Sequence, residues 1–475
     1  MSGLPNTLNG NVNRPPLRTS VNKDKPAKSR SLSPRFSPSL SGSLMMSDYL
    51  FLAGLLLALF YVADPFSLKL DRIGLTKHLP LVIAFCGVML ANVGSQVFNT
   101  KKSSFKIPSW QILSAGLPLI LLGIWILTGS LYARKFNGIQ NTFITVGLYL
   151  LFAFFAARLV MISPARVNVV RIFLLATATV SMFMAIRMAT NYDGMNVNYH
   201  ELEALIVPLA VYFALRPSGL KNNDKRYSQM FLTLFFLLAG FAFRKNTGFL
   251  VILLTLAYIW FAEWRFRFKE NVSFRFWTVL WVLIALVCAA LAAGYFAQKQ
   301  DLLPSGNPQY RMLTYEAAWQ KFVSSPIWGT GFTAQATEKF KAYQINLAQG
   351  NLSTHSDIMD ITAQGGIIAV CLWLWGYLRV ARVSLRHALS GLRPRDDLRA
   401  AAHCLACMSL ASIVVYAFNP IMLQPAKAIL MWSQFGMLLG IALHLTNQHA
   451  QEVSAQAAQR KPSNINSTSA GTYHA

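Results

Sequence analysis

An all-α fold that crosses a membrane many times is predicted by three features of this 475-residue sequence. Hydrophobic residues make up 54% of the chain and charged residues only 13%. The mean hydropathy is +0.40. Apolar runs of about 20 residues, the length that a helix needs to cross the hydrocarbon of a bilayer, recur along the chain. Because lipid cannot hydrogen-bond an exposed backbone, these runs are expected to be helices.

About twelve transmembrane helices are predicted from the apolar runs, near 47–62, 79–98, 108–128, 141–162, 169–190, 199–215, 227–243, 247–262, 275–297, 358–381, 399–418 and 427–446. They divide the chain into a basic tail (1–46), transmembrane helices 1–9 (47–297), one large loop (298–357), transmembrane helices 10–12 (358–446) and a polar tail (447–475). Both tails are expected to be disordered, because their composition cannot bury enough apolar surface.

The distribution of Lys and Arg predicts which face of the membrane each segment occupies. Most of the 43 basic residues fall in the two tails and in alternate loops, near 99–107, 158–171, 216–226, 263–275 and 379–399. These segments are expected in the cytoplasm, which places the large loop 298–357 on the outer face. The net charge of +25 then reflects a basic rim beside anionic lipid and argues against a nucleic-acid partner.

The cysteines and acidic residues predict neither a disulfide nor a metal site. All five cysteines fall inside predicted spans. Cys404 and Cys407 form a single C-x-x-C on an apolar helix, which favours a packing role over zinc binding. Asp64 and Asp71 in the first outer loop lack a matching acidic partner in a convincing motif, and the cluster His200, Glu201 and Glu203 is expected to face an aqueous vestibule or the substrate cavity rather than a metal. We therefore expect no metal and no cofactor.

The large loop is expected to carry the chemistry, because loops of this length in a compact bundle usually have a function. Apolar residues at helical spacing predict an amphipathic helix over Arg311–Ser325, which could lie on the membrane surface or cap the bundle. The residues of this stripe are Met312, Tyr315, Trp319, Phe322 and Val323. Arg311 is expected to open the helix, where the positive N-terminus would add to its charge. Pro326 is predicted to end the helix, followed by a turn at Gly329-Thr330-Gly331.

His355, within Thr354-His355-Ser356-Asp357, is predicted to lie at the start of the tenth span. Thr354 or Ser356 can cap that helix, and Asp357 suits its first turn. A helix N-terminus disfavours imidazolium, so His355 would be neutral and able to act as a general base. The alternative interpretation is that His355 only caps the helix or contacts water.

Three further cations are candidates for binding an anionic ligand. Arg244 and Lys245 lie between the apolar runs 227–243 and 247–262, in a hairpin predicted on the outer face, where basic residues are normally scarce. Arg187 lies inside the fifth span, where an ionisable group either faces the bundle interior or snorkels to the interface.

The sequence resembles the O-antigen ligase and O-antigen polymerase superfamily over about residues 190–380. The resemblance rests on Arg311-x(7)-Trp319-x(6)-Pro326-x-x-Gly329-x-Gly331-Phe332, on Thr354-His355-Ser356-Asp357, and on Gln364-Gly365-Gly366-Ile367-Ile368. Upstream, Asn198, Pro208 and Phe243-Arg244-Lys245-Asn246-Thr247-Gly248 are similar to that superfamily's stretches before its large loop. The chain departs from the pattern at Ser356, where Asn is frequent, around Arg244, and at Ala369, where Gly is frequent.

The resemblance implies a metal-independent glycosyltransferase of the bacterial inner membrane, with its active site on the periplasmic face. The implied donor is a glycan on an undecaprenyl-diphosphate carrier within the lipid bilayer. Arg244 and Arg311 would bind the diphosphate, with Lys245 and Arg187 as further cations. His355 would take the proton from an acceptor hydroxyl, which attacks the anomeric carbon with inversion. Asp357 would orient the imidazole or only stabilise the helix end.

Several alternatives stay open at the level of the sequence. The acceptor can be a growing glycan, as in a polymerase of exopolysaccharide biosynthesis, the lipid A-core of lipopolysaccharide, as in a ligase, or a protein, as in a protein O-oligosaccharyltransferase. A transporter of polysaccharide or of lipid-linked oligosaccharide is the alternative that is not an enzyme. A transporter is expected to show repeat symmetry and polar residues spread through the bundle, whereas here they cluster at the outer mouth.

Overall fold

The computed structural model describes residues 46–63, 83, 86, 109–132, 153, 156–157, 170, 172–180, 203–216, 223–242, 246–267, 307–332, 356–388, 397–419 and 425–460. All of these residues belong to one compact unit, Leu40–Ala475. They are almost entirely helical and include no strand. The predicted all-α fold is therefore confirmed.

Ten helices have defined bounds within these ranges. They are α1 (Met46–Ala63), α2 (Ser109–Tyr132), α3 (Glu203–Ile206), α4 (Leu209–Leu215), α5 (Asn223–Ala242), α6 (Asn246–Arg267), α7 (Asn307–Ser324), α8 (Asp357–Ala388), α9 (Asp397–Phe418) and α10 (Pro425–Arg460). The hairpin predicted from the runs 227–243 and 247–262 corresponds to α5 and α6.

Four of the described helices are long and apolar enough to cross a bilayer, which agrees with a membrane protein. The apolar windows are Thr247–Arg265, Asp357–Arg379, Asp397–Phe418 and Lys427–Thr446. Shorter apolar helices coincide with the first, third, sixth and seventh predicted spans. The spans predicted near 79–98, 141–162, 169–190 and 275–297 fall largely outside the described residues, so the number twelve stays a prediction.

The core of the bundle is formed by α9 and α10. Residues Ala428–Leu445 of α10 are buried throughout, and α9 begins with the small buried residues Ala400, Ala401 and Ala402. Small residues let helix backbones approach closely, which is how helices pack where lipid removes the hydrophobic driving force. An aromatic cluster then joins α8 to this core, formed by Trp373, Tyr377, Tyr416, Trp432 and Phe435.

Polar contacts fix α9 against α4 and α6. Arg216, after the end of α4, donates from Nε to Asp397 at the start of α9 over 3.0 Å. This ion pair agrees with the prediction that loops 216–226 and 379–399 lie on the same face of the membrane. Deeper in the bundle, the buried Cys404 thiol contacts the Pro208 carbonyl oxygen at 3.3 Å. That contact fits the packing role expected of this cysteine.

The helix predicted as one straight span at 358–381 is interrupted. Gly366 has φ 65° and ψ −166°, which is not helical, so α8 consists of two parts joined by a kink. The Asp357 carboxylate interacts electrostatically with Tyr377, although twenty residues of straight helix would separate them by about 30 Å. The kink therefore turns the first part of α8 back toward the second. The second part, residues 367–388, is by itself about as long as the hydrocarbon is thick.

Candidate functional site

The N-terminus of α8 is capped by Ser356. The Met359 amide donates to the Ser356 hydroxyl oxygen at 3.3 Å, and the Asp360 amide donates to the Ser356 carbonyl at 3.0 Å. Ser356 and Asp357 are both buried. Of the two capping residues predicted, Ser356 supplies the side-chain cap, and Asp357 occupies the first turn, where a carboxylate suits the helix dipole. The residue before this cap is His355.

Helix α7 packs along the first part of α8 and brings its own polar residues to this cap. Ala318 of α7 and Ala363 of α8 are fully buried against each other, with Met359 beside them. One turn and two turns before Ala318, the side chains of Thr314 and Arg311 lie on the same half of α7. The alanines allow close contact, so Tyr315 reaches the neighbourhood of Ser356, and Arg311 lies one turn before Tyr315 on α7.

Tyr315 is a polar residue at the centre of this neighbourhood. Burial raises the pKa of Tyr315 above its usual value of 10.0, the charge of Arg311 and the Ser356 hydroxyl oppose that rise, and Asp360 adds to it. The phenol therefore stays protonated at physiological pH and keeps a hydrogen to donate. The sequence had suggested only an apolar role for Tyr315, because its ring fits the helical spacing of the predicted stripe.

Two details of the predicted loop helix are wrong. The helix begins at Asn307 rather than at Arg311, so Arg311 lies in its second turn and gains less from the helix N-terminus than expected. The predicted apolar stripe is also split, because Tyr315 and Phe322 are partly buried while Trp319 and Val323 are 55% and 58% exposed. The end of the helix before Pro326 is confirmed.

The turn after α7 forms a clamp on the kink of α8, which we define as residues 325–332 hydrogen-bonded to residues 363–367. The amide and the hydroxyl of Thr330 both donate to the Ala363 carbonyl, each at 3.2 Å. The Gly331 amide donates to the Gln364 carbonyl at 3.0 Å. In return the Ile367 amide donates to the Pro326 carbonyl at 2.9 Å.

This clamp satisfies the backbone groups that the kink exposes. In an unbroken helix the Ala363 carbonyl would accept from the Ile367 amide. At the kink that pair separates, and an unsatisfied backbone group inside a membrane protein is costly. The Gly365 carbonyl is satisfied by Trp125 of α2, whose indole Nε1 donates to it at 3.0 Å. Irregular backbone is thus tolerated because protein covers it.

Two glycines make the clamp possible. Gly366 has a conformation that L side chains rarely adopt, and a Cβ there would meet the Ile327 carbonyl oxygen. A Cβ on Gly329, whose φ is 76°, would meet the Gln364 carbonyl oxygen. Both glycines belong to the motifs that carry the family resemblance. Those motifs therefore encode a contact between the loop and α8, which sequence reasoning had not identified.

The remaining predicted site residues fall outside the described residues. Arg244 and Lys245 belong to the short connection between the end of α5 at Ala242 and the start of α6 at Asn246. His355 directly precedes the described Ser356, and Arg187 follows the described stretch 172–180. The structure describes Arg311 and the residue after His355, and the positions of His355 and of the other cations relative to Arg311 stay a prediction.

Residues 230–374 match the family model described as O-antigen ligase. No curated protein matches the chain significantly. The matched segment runs from α5 to the second part of α8, so it contains the α5–α6 hairpin, α7, the clamp and the capped start of α8. A match of this kind supports ligase- or polymerase-type glycosyl transfer at a membrane. The resemblance to the O-antigen ligase and O-antigen polymerase superfamily is thus confirmed over residues 230–374.

Proposed function

We propose that this protein transfers a glycan from an undecaprenyl-diphosphate carrier to an acceptor hydroxyl on the periplasmic face of the bacterial inner membrane. The acceptor oxygen attacks the anomeric carbon, the bond from that carbon to the phosphate oxygen breaks, and the configuration at the carbon inverts. The diphosphate leaves on its lipid carrier, and the hydroxyl proton passes to the enzyme. Neither a metal nor a cofactor takes part.

The observation that carries this proposal is the packing of α7 on the capped start of α8. Tyr315 of α7, a protonated phenol, lies close to Ser356, the residue that follows His355, and Arg311 lies one turn before Tyr315 on the same helix. A cation beside a candidate base is what diphosphate departure requires, because negative charge develops on the leaving oxygens while the base takes a proton.

Each predicted residue has a role in this reaction. Arg311 and Arg244 bind the diphosphate oxygens in charge-assisted hydrogen bonds, and Lys245 and Arg187 add positive potential. His355, held neutral next to the helix N-terminus, accepts the hydroxyl proton. Asp357 lies buried in the first turn, where it stabilises the helix end beside His355.

The test is a transfer assay in proteoliposomes with a preformed lipid-diphosphate glycan and a soluble acceptor. Replacing His355 by Ala is expected to lower the rate by about 10²–10⁴, the usual contribution of general-base catalysis. Arg311→Ala is expected to cost about 10²–10³, as for loss of one donor to a developing oxyanion. Lys321→Ala is the matched control, because Lys321 lies on the same helix three turns away. Its rate should stay near that of the unchanged protein.

Two outcomes would contradict the proposal. Transfer that survives in both His355→Ala and Arg311→Ala would remove the assigned roles. Label that crosses the bilayer without joining an acceptor would instead favour the transporter. The anomeric configuration of the product, read from the proton–proton coupling at the new bond, tests inversion separately.

The choice of acceptor is tested by competition in the same assay. A lipid A-core acceptor, a glycan acceptor and a protein bearing hydroxyl side chains distinguish a ligase, a polymerase and a protein O-oligosaccharyltransferase. The family match to O-antigen ligases favours the first two over the third.

A further inference from the structure

A second feature of the clamp is an apolar surface that faces away from the protein. Ile327 and Trp328, at the tip of the turn, are 53% and 63% exposed. Trp328 stacks on Trp125 of α2 with ring centroids 5.6 Å apart. Apart from this stacking, both side chains are mostly exposed, and among the described residues they leave a large apolar area uncovered. In water such an area would be unfavourable.

This surface is continuous with the exposed apolar sides of two helices. Ile124 precedes Trp125 on α2 and is 55% exposed, as is Leu131 further along at 57%. Thr128 is exposed between them, but its hydroxyl donates to the Ile124 carbonyl at 2.9 Å and so needs no water. On α8, Ile367 follows the kink and is 46% exposed, and Leu374 and Leu378 are exposed further along. A largely apolar face therefore runs from both helices onto the turn.

The position of the turn along these helices indicates its depth. It lies at the beginning of the second part of α8, which is the part long enough to cross the hydrocarbon. It also lies near the C-terminal end of α2, since Phe332 packs against Gly129. Tryptophan side chains concentrate at this level of membrane proteins, where the ring is in contact with acyl chains and the indole nitrogen can hydrogen-bond.

The exposed apolar residues described on α7 lie on the half nearer the turn. Glu316 is exposed further from the turn, and Trp319, Gln320, Val323 and Ser324 are exposed toward it. Trp319 and Val323 are the large apolar side chains of this half, and Ser324 satisfies its hydroxyl on the Lys321 carbonyl. This half of the helix therefore suits a less polar environment than the Glu316 end.

We propose that the turn 325–328, together with the stacked pair Trp125 and Trp328, is seated in the bilayer. In this arrangement the bilayer's own phospholipids cover Ile327 and Trp328, while the Glu316 end of α7 lies in water. The clamp then ties α7, and with it Arg311, to a fixed height relative to the membrane. The inference does not depend on the proposed reaction.

Site-specific photo-crosslinking in liposomes of phosphatidylethanolamine and phosphatidylglycerol tests whether the turn lies in the bilayer. The photoreactive residue p-benzoylphenylalanine is placed at position 327, 328 or 316 of the full chain, and lipid adducts are measured by mass spectrometry. Position 374 on α8 is the positive control. Positions 327 and 328 are expected to give lipid adducts as abundant as those at 374, and several-fold more than position 316.

Other outcomes overturn the proposal. Positions 327 and 328 with as few lipid adducts as position 316 would place the turn in water. Adducts to a second copy of the chain would make the surface a protein interface. Adducts that form only when a polyprenyl-diphosphate glycan is added would assign the surface to the donor lipid instead of the bilayer. A chain labelled at both the test position and position 374 serves as the folding control. Loss of the lipid adduct at position 374 identifies a misfolded variant.

Discussion

The α9–α10 core and the clamp at the kink of α8 are held together in different ways. In the core, side chains such as Trp432 and Phe435 fill space, and the backbone is regular helix. In the clamp, carbonyls and amides of irregular backbone pair across two segments, and the important residues are glycines without side chains. At Gly329 and Gly366 of the clamp, an added carbon atom would meet backbone atoms of the facing segment.

This difference suggests what each region contributes. Apolar packing in the core fixes which helices are neighbours and is distributed over many residues. The clamp fixes the angle of the first part of α8 and the position of α7, the helix that carries Arg311 and Tyr315. Damage to the core should lower stability and activity together, while damage to the clamp should lower activity more than stability.

The largest loss of stability is expected from Trp432→Ala, because Trp432 is 1% exposed and contacts Tyr377 and Phe435. Removing a buried aromatic ring typically costs about 3–5 kcal/mol. Retention of monodisperse protein after heating in detergent, followed by size-exclusion chromatography, measures the change. Trp260→Ala is the control, since Trp260 is 49% exposed and should shift the profile little. Equal shifts for both variants would show that the core is not where stability resides.

Gly366→Ala is expected to break the clamp. A residue other than Gly in this backbone region costs about 1–3 kcal/mol, and the new Cβ would meet the Ile327 carbonyl. Transfer activity should be lost while the helix content measured by circular dichroism stays the same. Gly116→Ala on α2 is the matched control, because a Cβ there meets nothing within 4 Å. Full activity in Gly366→Ala would mean that the kink does not position the site.

Trp125→Phe isolates one hydrogen bond of the clamp. The ring stays available to stack on Trp328, but the Gly365 carbonyl loses its indole donor. Such a loss costs about 1 kcal/mol, so we expect a several-fold decrease in transfer rate with a small change in thermal stability. Trp375→Phe on the exposed face of α8 serves for comparison. If the two variants behave alike, the indole bond has no role.

Tyr315→Phe tests whether the phenol belongs to the site. Tyr315→Phe removes one hydrogen-bond donor from the site, and a neutral hydrogen bond to a substrate would be worth about 1 kcal/mol. A decrease of several-fold in transfer is therefore expected, smaller than for Arg311→Ala. Because burial raises the pKa of Tyr315 above 10.0, the protonated phenol stabilises the folded protein below that pH, and this contribution is lost as the pH rises through the raised pKa. At alkaline pH, the free energy of unfolding of the variant should therefore fall less steeply than that of the unchanged protein. An unchanged rate and an unchanged profile would leave Tyr315 as packing alone.

The smallest effect is expected from Arg216→Gln. Its ion pair with Asp397 is partly exposed, with side-chain exposures of 42% and 21%. Exposed pairs contribute about 0–1 kcal/mol and are screened by salt. Thermal stability at low and high ionic strength should differ less for the variant than for the unchanged protein. A loss as large as that of Trp432→Ala would indicate that the pair holds α4 on α9.

Much of the local structure follows from the sequence. The α5–α6 hairpin, the end of α7 before Pro326 and the Ser356 cap are local features, decided by hydropathy, a proline and a hydroxyl within a few residues of each other. The start of α7 was missed although Asn307-Pro308 is a helix-start pattern, because Arg311 attracted attention by its charge. The kink at Gly366 was missed because an apolar run with two glycines also suits a straight span.

The sequence by itself determined the class of protein and the motifs of the family, because composition and spacing are properties of the chain, and it supplied the basic residues that we propose bind a diphosphate. Only the tertiary structure decided what those motifs do. Gly329, Gly331 and Gly366 pair segments more than thirty residues apart, and Tyr315 turns from an apolar stripe toward Ser356. The physical reason is that satisfying a backbone carbonyl at a kink requires a donor from elsewhere in the fold. Periodicity within one segment cannot identify that donor.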